Sequence, residues 1–192
     1  PSGRSTAAAG RSDGEFAVTK VIDIPAEPAA ADELPPALQP FGAVPPLVTD
    51  INLSVDDQQL YVSCWGIGEL KQYDVSDPAH PRETGSVQLG GIAGRAAHPA
   101  APEQRLAGGP QMVEVSRDGR RVYLTNSLYG AWDDQFYPAG VGAWLAKIDA
   151  DTAGGVTLDE GFFLHGDDFR GLRVHQVRLQ GGDASSDSYC YR

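Results

Sequence analysis

Four histidines, His80, His98, His165 and His175, are the side chains of this sequence whose charge can change near neutral pH. Imidazole acts as a general acid or base in that range and is also the commonest metal ligand in proteins. His80 and His98 lie among alanines and prolines, which predicts solvated positions, whereas His165 follows an apolar run and could end a strand. The surroundings of His175 are the most informative of the four.

His175 lies within residues 173–179, Arg-Val-His-Gln-Val-Arg-Leu, where polar and apolar residues alternate with the period of a β-strand. The alternation places His175 on the same side as Val177 and Leu179, so a polar ring on an apolar face needs a partner. Two interpretations remain, a buried hydrogen-bonded histidine or a metal ligand or acid–base group. His175 is therefore the candidate site residue.

The two cysteines, Cys64 and Cys190, are too few for a disulfide framework and lack C-x-x-C spacing. Cys64 lies in an apolar stretch and is predicted to be a small buried hydrophobe. Cys190 lies close to the last residue of the sequence and is predicted to be exposed. The sequence contains no Walker loop, H-E-x-x-H zinc motif or EF-hand spacing, so no catalytic residue is assigned from a motif.

Two segments of similar pattern, 51–64 and 113–126, organise the rest of the chain. In each, an alternating strand leads into a turn that opens with a serine, Ser54 or Ser116, and holds an aspartate two residues later. A second strand with aromatic and β-branched residues follows, and a third strand then ends on an aspartate. Two unrelated hairpins that share common turn chemistry are the alternative explanation.

A repeated unit of this kind is typical of a β-propeller blade, which buries its faces by stacking on neighbouring blades. We therefore predict an all-β chain that forms a β-propeller with about three blades. A propeller closes with about 4–8 blades, so we expect these 192 residues to be part of a longer protein.

We divide the chain into a disordered lead-in, residues 1–15, and one propeller domain, residues 16–192. The domain opens with a predicted strand in 16–24, which is followed by a Pro-rich covering loop or linker, residues 25–46. Residues 90–107 are rich in alanine, glycine and proline and are predicted to form a surface excursion that does not pack.

A long loop, residues 127–140, interrupts the second repeat and carries four aromatic residues, Tyr129, Trp132, Phe136 and Tyr137. Aromatic side chains on a loop either fix it to the body of the protein or line a pocket. We favour fixation, because that is the commoner use of large apolar side chains.

Composition excludes several functional classes. Apolar residues make up 41% and charged residues 21%, as in a soluble globular protein. The net charge is −11 and the basic residues are scattered, which argues against nucleic-acid binding. No run approaches the roughly 20 apolar residues of a membrane span, and the first residues lack the apolar core of a signal peptide. Either a cytoplasmic or a periplasmic location fits such a chain.

Three segments, 48–91, 107–138 and 174–187, resemble corresponding parts of the selenium-binding protein family, whose enzymatic members are methanethiol oxidases. The stretch Ser-Leu-Tyr-Gly-Ala-Trp-Asp-Asp-Gln-Phe-Tyr-Pro, residues 127–138, is the most specific part of the resemblance. Residues 174–187 resemble the family's C-terminal His-Glu…Pro-Gly-Gly-Asp-Cys-Ser-Ser-Asp ending.

The resemblance implies a seven-bladed propeller of which this chain is the C-terminal part. It implies a copper-dependent enzyme that converts methanethiol, O₂ and water to formaldehyde, hydrogen peroxide and hydrogen sulfide. His175 is the family histidine that can be matched to this sequence, and it would be a copper ligand or a group close to the metal. Asp50 would be either an acceptor for a ligand imidazole or a turn or cap residue.

The chain departs from the family pattern near its end. Ala184 stands where the family has a cysteine, Gln176 replaces a glutamate, and Leu179-Gln180 replaces an aromatic–proline pair. The family's Cys-rich N-terminal region, linked to selenium, has no counterpart in this sequence. The alternatives are therefore a non-enzymatic propeller that binds selenium or a protein partner, or an inactive fragment.

Overall fold

The computed structural model of this chain describes residues 7–12 and 15–177. Fourteen strands follow one another in chain order: β1 (Ala7–Ser12), β2 (Glu15–Lys20), β3 (Glu27–Pro28), β4 (Ala43–Val44), β5 (Val48–Leu53), β6 (Gln59–Cys64), β7 (Glu69–Asp74), β8 (Arg82–Gln88), β9 (Ala97–His98), β10 (Ala101–Arg105), β11 (Val113–Val115), β12 (Arg121–Thr125), β13 (Trp144–Ala150) and β14 (Val156–His165). One helix, α1 (Gly130–Phe136), and short 3₁₀ turns at Ala31–Glu33, Gln39–Phe41 and Gly166–Phe169 complete the described elements. Within this described part, no helix is long and apolar enough to cross a membrane.

Two four-stranded antiparallel sheets dominate the fold. One contains β5–β8 and the other β11–β14, and each strand pairs with the next along the chain. This meander is the arrangement of propeller blades, so we call the sheets blade 1 and blade 2. The predicted all-β fold with repeated blades is confirmed, although the described residues hold two complete blades rather than about three.

The same turn opens both blades, between β5 and β6 and between β11 and β12. Ser54 Oγ donates to Asp56 Oδ1 at 2.6 Å, and Ser116 Oγ donates to Asp118 Oδ1 in the equivalent turn. The next backbone N–H groups donate to the same carboxylates, and the serine hydroxyls accept from the first residues of the returning strands. Gly119 takes φ 69°, a left-handed conformation that glycine adopts without steric cost.

Alternation along the strands produces the contact between the blades. Val122 and Leu124 of β12 and Ile148 of β13 face blade 1, where they meet Tyr61 and Leu70 in one buried cluster. Burial of each such side chain contributes roughly 1.5–3 kcal/mol, so this cluster is the main cohesive force between the sheets.

The opposite face of blade 1 is covered by the segment before it. Ile24, Leu34 and Val44 are buried there against Val62 and Tyr73. Residues of the segment 25–46 therefore cover one face of blade 1. This segment includes the short β3–β4 pair and two 3₁₀ turns. Its prolines are tolerated in such short elements because proline has no backbone N–H that needs an acceptor.

Several local predictions differ from the structure. The part of the lead-in over residues 7–12 is strand β1, paired with β2, because backbone pairing needs no apolar side chains. The excursion 90–107 does pack, since Leu106 is 2% and Ala93 7% exposed, and β9 and β10 pair within it. Residues 173–177 are irregular rather than a strand, and the rest of the predicted 173–179 strand lies outside the described residues.

Candidate functional site

The first strands of the two blades lie side by side and are joined by side chain to backbone bonds. Thr49 Oγ1 donates to the Gln111 carbonyl at 3.1 Å, and Asn52 Nδ2 donates to the Val113 carbonyl at 3.1 Å. The Val113 N–H donates to Asp50 Oδ2 at 2.8 Å. In a propeller the first strands of the blades face the central channel, so these bonds fix the spacing of the channel wall.

Asp50 is a structural tie with a perturbed carboxyl. Its Oδ1 accepts from the Ile51 N–H at 3.0 Å while Oδ2 accepts from Val113. Burial raises the pKa of Asp50 above its usual range, and these backbone bonds oppose that rise only in part. Glu114 raises the pKa further and the nearby His175 lowers it, which shows that the three groups share one electrostatic neighbourhood.

His175 lies in the irregular segment after the last blade strand, and its side chain is exposed. The prediction of an apolar strand face was therefore wrong for the described part, because the backbone here follows loop 127–140 instead of a sheet. The Ser127 N–H donates to the Val174 carbonyl at 3.1 Å, and Thr125 Oγ1 donates to the His175 carbonyl. The segment is thereby fixed at its backbone.

The ring of His175 is oriented by the carbonyl of Ser127, 2.9 Å from Nδ1. A carbonyl oxygen can only accept, so Nδ1 must carry the hydrogen and the neutral ring keeps its lone pair on Nε2. An Nδ1–H bonded to a backbone carbonyl is the common arrangement for a histidine that binds a metal through Nε2.

Glu114 is a site residue that sequence analysis missed. Val113 and Val115 face the cluster between the blades, so Glu114 lies on the other face of β11. Its side chain is nevertheless buried, with an exposed fraction of 1%. Gln176 Nε2 donates to Glu114 Oε1 at 3.0 Å, so the residue that departs from the family pattern holds the buried carboxyl. Its position in a strand among apolar residues was the available signal.

An ion pair holds the loop 127–140 against the segment that carries His175. Arg173 Nη1 donates to Asp133 Oδ2 at 2.7 Å, and its Nη2 donates to Asp134 Oδ1 at 2.7 Å. Asp133 is buried and also accepts from Ser127 Oγ at 2.6 Å and from the Leu128 N–H at 3.0 Å. The carboxyl of Asp133 therefore links helix α1 to the residue whose carbonyl orients His175.

Two of the four loop aromatics fix the loop to blade 1, as predicted. The Tyr137 hydroxyl donates to the Trp65 carbonyl at 3.1 Å, and the rings of Phe136 and Tyr137 meet Trp65 edge-on. Both residues also line a cleft of about 360 Å³ with residues 32–36 and 91–94. Tyr129 and Trp132 remain largely exposed.

The other sequence candidates lie apart from His175. The exposed His80 pairs with Asp77 at 2.8 Å, and His98 and His165 contact each other elsewhere in the fold. Cys64 is buried as predicted, and burial raises the pKa of its thiol to about 12. Across residues 7–12 and 15–177, no three His, Cys, Asp or Glu side chains are grouped so that they could hold a metal ion.

Comparison with known proteins places this chain in a family. A family model described as "56kDa selenium binding protein (SBP56)" matches residues 6–190. The human protein named methanethiol oxidase is 41% identical over 194 residues, which covers 91% of this chain and 40% of the human protein. The mouse protein named selenium-binding protein 2 is 39% identical, again over 91% of this chain and 40% of the mouse protein.

A solved structure agrees with these sequence relatives. The X-ray structure of a hypothetical selenium-binding protein from Sulfolobus tokodaii matches with a TM-score of 0.85 and 57% sequence identity. The match covers 96% of this chain and 39% of that protein. The chain thus spans about 40% of the length of the curated relatives named above. It belongs to the 56 kDa selenium-binding protein family, SBP56.

Proposed function

We propose that this chain is the C-terminal portion of a selenium-binding-protein-like methanethiol oxidase. The reaction would convert methanethiol, O₂ and water to formaldehyde, hydrogen peroxide and hydrogen sulfide. The oriented Nε2 of His175 is the observation that carries the proposal, because it presents a metal-binding atom beside the channel strands. The identity to proteins named methanethiol oxidase supports it.

The residues around His175 fit a copper ion as one part of its ligand set. Imidazole suits copper, and the Ser127 carbonyl supplies the hydrogen bond that fixes a ligand ring. Copper, when bound, would supply the one-electron chemistry that reactions of O₂ require. The remaining ligands would come from parts of the protein outside the described residues, since these hold no further cluster.

The residues around His175 would position its imidazole ring and supply an electrostatic potential that favours a cation. The pair of Arg173 with Asp133 holds Ser127, and Ser127 holds the imidazole. The carboxyls of Asp50 and Glu114 lie in the same neighbourhood, and negative charge there favours a bound cation.

Replacement of His175 by alanine in the full-length protein tests the proposal. We expect the His175→Ala variant to lose most of its copper and its methanethiol turnover, while wild type produces sulfide and peroxide. The matched control is His80→Ala, because His80 is exposed and lies in a separate turn. Metal analysis by mass spectrometry and sulfide release are the two measurements. Full copper and turnover in His175→Ala would remove this histidine from the site.

A non-enzymatic role in binding selenium or a protein partner is the second candidate, and the mouse relative's name supports the binding of selenium. Cys64 would not bind selenium in this role, because its thiol is buried and its pKa is raised to about 12. Cys190 lies outside the described residues. If folded, copper-loaded full-length protein releases no sulfide from methanethiol, this candidate is favoured; robust turnover rejects it.

The third possibility is an inactive fragment, because an incomplete blade array leaves sheet edges and faces that promote aggregation. A monomer of the 192 residues that melts cooperatively would count against it.

A further inference from the structure

The β9–β10 hairpin lies against the outer strand of blade 2 through a cluster of aromatic and imidazole rings. The ring of His98 is 4.8 Å from that of His165 and 5.5 Å from that of Phe163, both edge-on. Phe163 in turn stacks on Trp144 at 5.8 Å with the planes 29° apart. The hairpin therefore docks on β14 through groups that have no contact with the His175 site.

The protonation state of His98 is set by its own turn. The Ala100 N–H donates to His98 Nδ1 at 3.1 Å, so this nitrogen must be without a hydrogen in the docked hairpin. A proton on Nδ1 of His98 would place this new N–H group against the N–H group of Ala100. Protonation of His98 thus removes the bond that closes the β9–β10 turn.

Protonation would also place a positive charge on a partly buried ring next to the imidazole of His165. His165 faces His98 from β14, and Glu103 faces it from β10. Partial burial and the neighbouring His165 both lower the pKa of His98 below its usual 6.5, and Glu103 opposes them less strongly. Asp168 Oδ2 accepts from the His165 backbone N–H at 2.9 Å and so fixes the end of β14.

The rest of the excursion is fixed independently of the two histidines. Leu106 is buried in the core between the blades, and Trp144 Nε1 donates to the Ala107 carbonyl at 2.9 Å. Arg105 Nη1 donates to the Ala93 carbonyl at 3.4 Å. Release of His98 would therefore free the hairpin from about residue 97 to 104 while its base stays attached.

We propose that His98 and His165 form a pH-sensitive latch that holds the β9–β10 hairpin on blade 2. The latch is closed while His98 is neutral and opens when acidification protonates it. The contribution of His98 to docking is complete above pH 6.5 and is lost as the pH falls from there through the lowered pKa of His98. Opening would uncover the ring of Phe163, which contacts His98 in the docked hairpin.

Hydrogen exchange at residues 97–104 of the full chain tests the latch, at about pH 7.5 and about pH 5.5, after correction for intrinsic exchange rates. We expect the opening equilibrium of this hairpin to rise several-fold at the lower pH, while strands β12 and β13 are unchanged. Equal protection of the hairpin at the two pH values would overturn the proposal.

Two variants separate titration from packing. In His98→Asn, the amide oxygen can still accept from the Ala100 N–H but does not titrate, so the pH response should disappear. In His165→Phe, an aromatic ring stays beside His98 and the imidazole that lowers the pKa of His98 is removed, so the response should shrink. His80→Asn, in an exposed turn, is the control and should keep the full response. A full response in His98→Asn would assign the opening to another group.

Discussion

At the scale of single residues, Asp133 connects more of the site than any catalytic candidate does. It is 1% exposed and accepts from Arg173, Ser127 and the Leu128 N–H. A buried carboxylate with charge-assisted bonds is expensive to disturb, because its partners are left without an acceptor. The orientation of His175 thus depends on a residue that does not contact its ring.

We expect Asp133→Ala to lower the free energy of unfolding by about 2 kcal/mol, since it leaves buried donors unpaired. Asp134→Ala is the matched control, because Asp134 pairs with the same arginine but is largely exposed, and it should cost about 0–1 kcal/mol. Urea denaturation of both variants measures the difference. If both variants lose the same free energy of unfolding, the burial of Asp133 makes no additional contribution to stability.

At the scale of elements, the repeated serine–aspartate turn decides where each blade begins its second strand. In blade 2, Ser116 is buried, donates to Asp118 and accepts from the Arg121 N–H. The serine hydroxyl is the main cause that lowers the pKa of Asp118, followed by the Arg120 N–H. The turn is therefore a small network and not a single bond.

Ser116→Ala should destabilise the chain by about 1–2 kcal/mol, because the Arg121 N–H loses its bond to the side chain and Asp118 loses its donor. Ser76→Ala in an exposed turn, where Ser76 Oγ donates to Asp74, is the control and should change little. Thermal unfolding near neutral pH provides the comparison.

The same variant has a pH signature. Because the folded pKa of Asp118 lies below its ordinary value of 3.8, its stabilising contribution is present above that value and is lost as the pH falls through the lowered pKa. Ser116→Ala should move the pKa of Asp118, followed by NMR, upward. An unchanged Asp118 pKa would contradict the assigned role of the hydroxyl.

At the scale of the whole molecule, the segment that leads into blade 2 comes into close contact with the β6–β7 turn of blade 1 at Trp65. A methyl group on Gly109 would lie 2.1 Å from the Trp65 carbonyl oxygen, whereas one on Gly130 would meet nothing within 4 Å. Trp65 itself is fully buried and donates from Nε1 to the Asn126 carbonyl at 3.0 Å. The stacking distance of the blades is thus set by backbone contact as well as by apolar packing.

Gly109→Ala should destabilise the chain by about 3 kcal/mol or more, because the backbone of Trp65 must move to admit the methyl group. Gly130→Ala, near the start of α1, should be neutral or stabilise by about 0.5–1 kcal/mol. Chemical denaturation of the two variants is the measurement. An unchanged free energy of unfolding in Gly109→Ala would show that the close backbone contact at Trp65 is not needed for stability.

The sequence by itself determined the first three strands of each blade, the repeated turn and the burial of Cys64. These features depend on alternation and on hydrogen bonds between residues close in the chain, which a sequence displays directly. The tertiary structure alone decided that Glu114 is buried, that His175 lies exposed on an irregular segment, and that His98 meets His165. Each of these depends on which distant segments come together, and the local pattern around these residues is the same whichever segment covers them.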